Sequence, residues 1–412
     1  MSTTTLHAAR PLGLARLAGD LNPAAVSAGL TAFVFYTTAG VPLLIAVARR
    51  LGLDPAHTSS WFFIVFLTTA LSSVGLSLVY RQPLPINWSL PGIVYLGSLA
   101  GQFSLAELVG ANLMAGAVIT LLGLLGLGGR VLALLPLPIA LGMFGGSILG
   151  NLSDLVAATV DDVVVAGATV GGYLLARLTG TSRVPPVALA AIAGAVPVVL
   201  AQRGAPTPIE WSPPVLLMPE AHFSLAALVG VTLPLVVLSA GLGNVQGLGF
   251  LLAQGYKPPA NLITVLIGLQ SLVNALFGGH QAIMGRSGVA ILASAEAGPR
   301  EGRYWGALIG NGLLVPVAFA AAPIASVLPL VPHAYVAALA GLAVWSSFQE
   351  ALVKALEGRL RFGASVAFVV AATPFAVGGI TSAFWALLAG VAASLIAERG
   401  ELLARGGQPM TR

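Results

Sequence analysis

The chain has no cysteine, which removes disulfides, thiolate nucleophiles, zinc-thiolate sites and iron-sulfur clusters and leaves its redox compartment undecided. Charge is the second shortage. Only 8% of the 412 residues are Asp, Glu, Lys or Arg, where a soluble domain carries about 25%. So few charges cannot furnish a water-facing surface of this size, whereas a lipid-facing surface needs almost none. An ordinary soluble enzyme is excluded. Asp161-Asp162 is the one adjacent acid pair, and it reads as a solvated helix start in an outer loop. The five histidines (7, 57, 222, 280 and 333) never fall at metal-ligand spacing. A membrane-embedded enzyme, the rival class, would usually show clustered acids, a metal-binding His pair or a nucleophile with its base. The first residues, with Arg10 and Arg16, lack a long apolar region followed by a cleavage site, and read as a cytoplasmic tail.

What is abundant is apolar: 57% of the residues, with 50 Gly and 27 Pro set inside Leu, Val and Ala runs, as in membrane helices that pack closely or break. The net charge of +5 marks loop sidedness rather than nucleic-acid binding. A span needs about 20 apolar residues. Full spans are expected near 24–48, 60–80, 104–126, 131–152, 162–180, 184–202, 223–253, 260–277, 303–324, 332–353, 362–377 and 380–398. Two shorter segments, near 89–101 and 285–296, follow the irregular stretches Pro83-Leu-Pro-Ile-Asn-Trp88 and Gly278-Gly-His-Gln-Ala-Ile-Met284. Neither can cross as one regular helix. With the N-terminus inside, only Arg49, Arg50 and Arg203 fall outside, Arg286 falls on neither side, and every other Lys and Arg is internal, so both termini are expected to be cytoplasmic.

Landmarks recur at an offset of about 200 residues. Gly40-Val-Pro42, Gly52-Leu-Asp-Pro55, Ser89-Leu-Pro-Gly-Ile and Leu135-Pro-Leu-Pro138 are matched by Gly243-Asn-Val, Gly255-Tyr-Lys-Pro258, Gly285-Arg-Ser-Gly-Val and Leu328-Pro-Leu-Val-Pro332. Seven segments per copy is odd, so the copies must be inverted in the membrane. The expected fold is therefore an all-α integral membrane protein of fourteen transmembrane segments in two inverted repeats of seven, the plan of secondary transporters.

A half-helix that starts in mid-membrane leaves its first four N–H groups unpartnered and carries about half a positive charge at that end. Two such ends lining a polar cavity make an anion site. Here they fall at Ser89 to Gly92 and at Gly285, Arg286, Ser287 and Gly288, whose glycines let a ligand approach the backbone. Arg286 suits a carboxylate through its guanidinium fork; a structural pin or a mobile gate is the alternative. His280 could donate to a substrate or carry a proton, and a structural role is the alternative. Asn244 and Gln246 are substrate contacts or helix glue, while Gln270, Asn274 and Asn311 read as interhelical contacts. Phe33, Tyr36, Trp88, Tyr95 and Phe277 lie near the crossing and could flank an aromatic ring or simply pack. No acid falls in the middle of segments 8 or 10, so a positive site without a mid-membrane acid is expected.

The stretch Gly243-Asn-Val-Gln-Gly-Leu-Gly-Phe-Leu-Leu-Ala-Gln-Gly-Tyr-Lys-Pro-Pro259, with Asn274-Ala-Leu-Phe-Gly-Gly-His280 and Arg286-Ser-Gly-Val-Ala-Ile291, resembles the bacterial benzoate/proton symporter family. Length and segment pattern extend the resemblance over most of the chain. That family is related to nucleobase permeases and sulfate-type anion transporters, so the resemblance implies a core domain (23–128 and 206–325, segments 1–4 and 8–11) and a gate domain (129–205 and 326–400, segments 5–7 and 12–14), with tails at 1–22 and 401–412. Substrate would bind between core and gate. Nucleobase permeases use acids on segments 8 and 10, and the comparable positions look like Asn244 and Arg286, which argues for an anion.

The implied activity is uptake of benzoate or a similar aromatic carboxylate with a proton, by alternating access, in the bacterial inner membrane. No cofactor beyond the proton gradient is implied; the partners are the carboxylate, the proton and the lipid bilayer. A nucleobase or another small anion is the alternative cargo. His280, Glu107 near the outer end of segment 4, or the substrate entering as the neutral acid could carry the proton. Oligomeric state stays open, a homodimer being one option.

Overall fold

The structure, a computed structural model, describes residues 19–127, 136–180, 184–201, 211–327 and 330–403. Much of the tails, Leu135, Leu328, Arg130, Arg183 and Arg203 lie outside these residues, and with them part of the charge asymmetry. The helices are α1 Pro23–Arg50, α2 Pro55–Tyr80, α3 Leu90–Ser98, α4 Leu105–Leu124, α5 Leu137–Asp161, α6 Val165–Thr179, α7 Pro186–Ala201, α8 Leu225–Ala253 and α9 Ala260–Leu276. They continue as α10 Arg286–Ala293, α11 in the pieces Tyr304–Gly312, Leu314–Phe319 and Ala321–Val327, α12 His333–Leu356, α13 Arg361–Ala372 and α14 Ser382–Ala397. Among the described residues, α1, α2, α4, α5, α8 and α12 are long and apolar enough to cross a membrane.

Local chemistry sets the boundaries. α2 begins at Pro55, ahead of the expected residue 60, because Asp54 accepts the His57 amide at 2.8 Å and proline suits a first helical position. α13 stops at Ala372, short of the expected residue 377, and Pro374 lies just beyond it. The chain then turns through a hairpin, Ala376–Val377 against Ile380–Thr381, whose two-residue loop is Gly378-Gly379, both at positive φ. Within α8, residues Leu228–Thr232 and Val237–Gly243 are π-helical.

The all-α expectation is modified at the two breaks, where short strands cross. Arg81, at φ 50°, ends α2, and Pro83 and Pro85 keep the following chain extended. Extended backbone at membrane depth must find partners, and serines of α2 supply them. Ser77 Oγ accepts the Leu84 amide at 3.1 Å, and Ser73 Oγ both accepts the Ile86 amide and donates to the Ile86 carbonyl at 2.9 Å. Asn87–Trp88 (β1) then pairs antiparallel with Ala282–Ile283 (β2), Asn87 opposite Ile283 and Trp88 opposite Ala282.

The second break is braced in the same manner. Ser271 Oγ of α9 accepts the Ala282 amide at 2.9 Å, Asn274 Nδ2 donates to the His280 carbonyl at 3.0 Å, and Asn244 Oδ1 of α8 accepts the Met284 amide at 3.0 Å. The half-helix α3 starts at Leu90, with one residue between it and β1, and α10 starts at Arg286, with two residues between it and β2.

Two sets of helices are distinguished by packing. In one, α4 packs on α9, α1 and α2 on α11, and α10 on α1 and α8. In the other, α5 packs on α12 and α13, α6 on α7 and α13 on α14. Close approach in the second set depends on small residues: a β-carbon at Gly142 of α5 would collide with the Ala364 carbonyl of α13. The sets meet where α1 touches α12 and where α3 and α8 touch α5.

Candidate functional site

A cavity lies at this meeting. Phe35, Tyr36, Ala39 and Gly40 of α1, Trp88 of β1, Leu141 and Phe144 of α5, Leu242 of α8 and Ile283 of β2 make its apolar walls. Its polar lining comes from Asn87, Gln246, Arg286, Ser287, Ser347 and Glu350, together with the backbone of Gly285 and Gly288. The aromatic wall is ordered: Trp88 stacks on Phe66 at 4.6 Å between centroids and meets Tyr36 edge-on at 5.8 Å. The lining thus joins apolar and aromatic side chains to the charged Arg286 and Glu350.

The two half-helix ends are not equivalent. At α3, the Ser89 hydroxyl accepts the Gly92 amide at 2.9 Å and so occupies one of the free donors. Leu90 and Pro91 line the cavity, whereas Ser89 and Gly92 do not. At α10, Gly285 holds the cap position and no side chain among the described residues caps the first turn. Its first-turn N–H groups are therefore free of the side-chain cap that α3 has, as a helix end that accepts an anion requires. Gly288 must be small: a β-carbon there would lie 2.5 Å from the Tyr36 hydroxyl and 3.1 Å from Asn87 Nδ2. The Tyr36 hydroxyl and Asn87 Oδ1 are buried without hydrogen-bond partners among the described residues.

Arg286 is paired. Its Nη1 donates to Glu350 Oε1 of α12, and the same oxygen accepts from Lys354 one turn further on. The expectation of a site without an acid is thereby corrected: a carboxylate reaches it from segment 12 rather than from segments 8 or 10. The Arg286 side chain is 42% exposed, so it faces open space rather than being sealed among neighbours.

Several expected site residues lie elsewhere. Asn244 is fully buried and spends its oxygen on the Met284 amide. His280 is also fully buried, and its Nδ1 accepts from Trp61 Nε1 at 2.9 Å. The Tyr95 hydroxyl donates to the Gly230 carbonyl and sits 2.9 Å from Thr381 Oγ1. Phe277 caps the C-terminus of α9, and its carbonyl accepts from Ser60 Oγ at 3.1 Å. Neither Phe33 nor these four lines the cavity. Glu107 closes a capping box with Ser104 at the start of α4, away from the site. Asp162 accepts the Val165 amide at 2.9 Å and starts α6.

Discontinuous helices that cross at an amphipathic cavity, between two packed helical sets, are the architecture of a membrane transporter. The chain belongs to the benzoate membrane transport protein family, whose model matches residues 19–396. It is 31% identical over 392 residues to the inner membrane protein YdcO of Escherichia coli (strain K12), covering 92% of this chain and 98% of that one. It is 26% identical over 390 residues to the benzoate membrane transport protein of Acinetobacter baylyi, covering 93% and 97%. The fold is shared with the transmembrane domain of the cyanobacterium bicarbonate transporter BicA (TM-score 0.56, 18% identity, 93% and 97% covered). It is also shared with the murine anion transporter Slc26a9 (TM-score 0.57, 13% identity, 92% and 68% covered). The chain is a multi-pass protein of the bacterial inner membrane.

Proposed function

We propose that this chain imports benzoate or a similar aromatic carboxylate together with a proton, by alternating access. The observation that carries the substrate reading is the polarity of the cavity. Arg286 and the uncapped first turn of α10 line it together with the aromatic side chains of Tyr36, Trp88 and Phe144. The carboxylate would take guanidinium and backbone donors while the ring enters the aromatic slot. A relative whose name specifies benzoate supports the same cargo.

In this reading, α1 to α4 with α8 to α11 move as a core against a gate of α5 to α7 with α12 to α14. The separate packing of the two sets supports that division, as does the pairing of β1 with β2, which ties both half-helices to one body. The substrate test is uptake of labelled benzoate into proteoliposomes, with and without an imposed pH gradient. Benzoate should compete and be accumulated by the gradient, whereas benzamide and uracil, which lack the charge, should not compete. Competition by uracil equal to that by benzoate would put a nucleobase in place of the carboxylate.

A further inference from the structure

Glu350 stands where a proton can be exchanged for a substrate. Its carboxylate binds Arg286 through a single oxygen, Oε1, and receives that contact through a single guanidinium nitrogen, Nη1. The remaining guanidinium N–H groups are left to a ligand in the cavity that both residues line. The pair also spans the two helical sets, Arg286 on α10 and Glu350 on α12. We infer that Glu350 is the proton-coupling residue of this transporter: it competes with the substrate carboxylate for Arg286 and takes up a proton when the substrate is bound.

This inference rests on the carboxylate reading of the site. Two carboxylates at one guanidinium repel each other, and a proton on one of them relieves the repulsion. Protonated Glu350 gives up its charged contact and leaves Arg286 to the substrate. When Glu350 loses the proton to the opposite compartment, the restored carboxylate reclaims Arg286 and displaces the substrate, so one proton and one carboxylate leave together. The charge of the site is then the same empty as loaded, since the added proton cancels the added anion.

The ionisable groups around Glu350 are few. Arg286 comes from α10, Lys354 from its own helix, and Tyr36 from α1 lines the same cavity. On the cavity side α5 and α8 contribute Leu141, Phe144, Leu242 and Gln246, none of which titrates. α13, packed on α12 through Phe368, has Arg361 as its one ionisable residue, and that arginine faces Glu398. Tyr173 of α6 packs near residues 337–343 of α12, a different stretch of the helix. Among the described residues that line the cavity, Glu350 is the one acid.

The test is proton uptake during binding. Full-length protein in weakly buffered detergent solution near neutral pH, titrated with benzoate against a pH indicator, should take up as much as one proton per bound ligand. Glu350→Gln should still bind benzoate, with no proton uptake and with an affinity nearly independent of pH. Wild-type affinity should weaken about tenfold per pH unit on the alkaline limb. Proton uptake retained in Glu350→Gln would assign the proton to another group and overturn the inference while leaving the substrate reading intact. Failure of the wild-type protein to bind benzoate would overturn both.

Should Glu350→Gln fail to fold, Lys354→Met supplies an independent readout. Removing a cationic neighbour makes the carboxylate easier to protonate, so the pH midpoint of benzoate affinity should move upward. An unmoved midpoint in a folded Lys354→Met protein overturns the inference.

Discussion

Trp61 on α2 and His280 in the second break are joined by a buried hydrogen bond, the indole Nε1 donating to His280 Nδ1 at 2.9 Å with the rings edge to face at 5.5 Å. The acceptor role fixes Nδ1 as unprotonated and ties a helix of the first half to the break of the second. Asn274 holds the His280 carbonyl from the other side. His280→Ala should therefore cost stability of about 1 to 3 kcal/mol, the penalty for an unpaired buried donor. The pH profile of benzoate uptake should stay in place. Thermal unfolding in detergent and uptake across a pH series measure the two quantities, and a displaced profile at unchanged stability would return the histidine to the proton path.

Arg286→Ala should reduce benzoate affinity by about 10- to 100-fold, the worth of a charge-assisted contact. Glu350 keeps Lys354 as a partner in this variant, so the protein should remain folded and monodisperse. Arg286→Lys should recover little, because a point charge lacks the planar fork that grips a carboxylate through two N–H groups. Affinity near that of wild type in Arg286→Ala would make the arginine a structural pin.

Gly288 leaves no room for a β-carbon beside the Tyr36 hydroxyl. Gly288→Ala should force Tyr36 aside and weaken benzoate binding, at an overpacking cost of about 1 to 3 kcal/mol. Tyr36→Phe in the same background removes the crowded oxygen and should restore stability in large part. Calorimetric titration and unfolding of both variants check the pair; an unperturbed Gly288→Ala protein would show that α10 can shift away at no cost.

A second bridge between the helical sets lies along α1 from the cavity. Arg50 pairs with Asp154 of α5, and Arg49 donates to the Val331 carbonyl at 2.7 Å. Because the charged partners are 31% and 45% exposed, the ion pair contributes at most about 1 kcal/mol. Asp154→Asn should shift the balance of conformations by no more than about fivefold, and less in high salt. Spin labels on α1 and α5 would report the shift, while labels on α3 and α10 should keep a constant separation. A changing distance between α3 and α10, with α1 and α5 static, would contradict movement of the core as one body.

The breaks were legible because their causes are local: Pro83 and Pro85 interrupt a helix, and the Gly278-Gly279 pair before His280 admits the positive φ of 79° at which α9 ends. Arg286 was legible for the converse reason, as a charge at a depth where charges are costly. Glu350 was not. It falls near the end of an apolar run, four residues before Lys354, where an acid reads as an ordinary i,i+4 surface pair. Its contact with Arg286 is made only when α10 and α12 meet. Tyr95 was misplaced for a geometric reason: four and five residues beyond Pro91 and Leu90, it lies about one turn further along α3, where its hydroxyl meets Gly230 and Thr381 instead. Asn244 and His280 were recognised as polar residues in apolar surroundings, but the sequence could not distinguish a ligand from a main-chain amide or an indole as their partner.

The serine and asparagine braces at the two breaks also bear on biosynthesis. Ser73 and Ser77 precede the extended stretch they hold, and Ser271, Asn274 and Asn244 likewise precede theirs. Each half of the chain therefore carries its own means of satisfying its break as it leaves the ribosome. Among the described residues, the backbone of the first break leaves the β1–β2 pairing and the bond from the Ser89 amide to the Gln281 carbonyl at 2.8 Å to wait for the second half. The first half can enter the bilayer with most of its broken backbone already satisfied, and arrival of the second then closes the crossing.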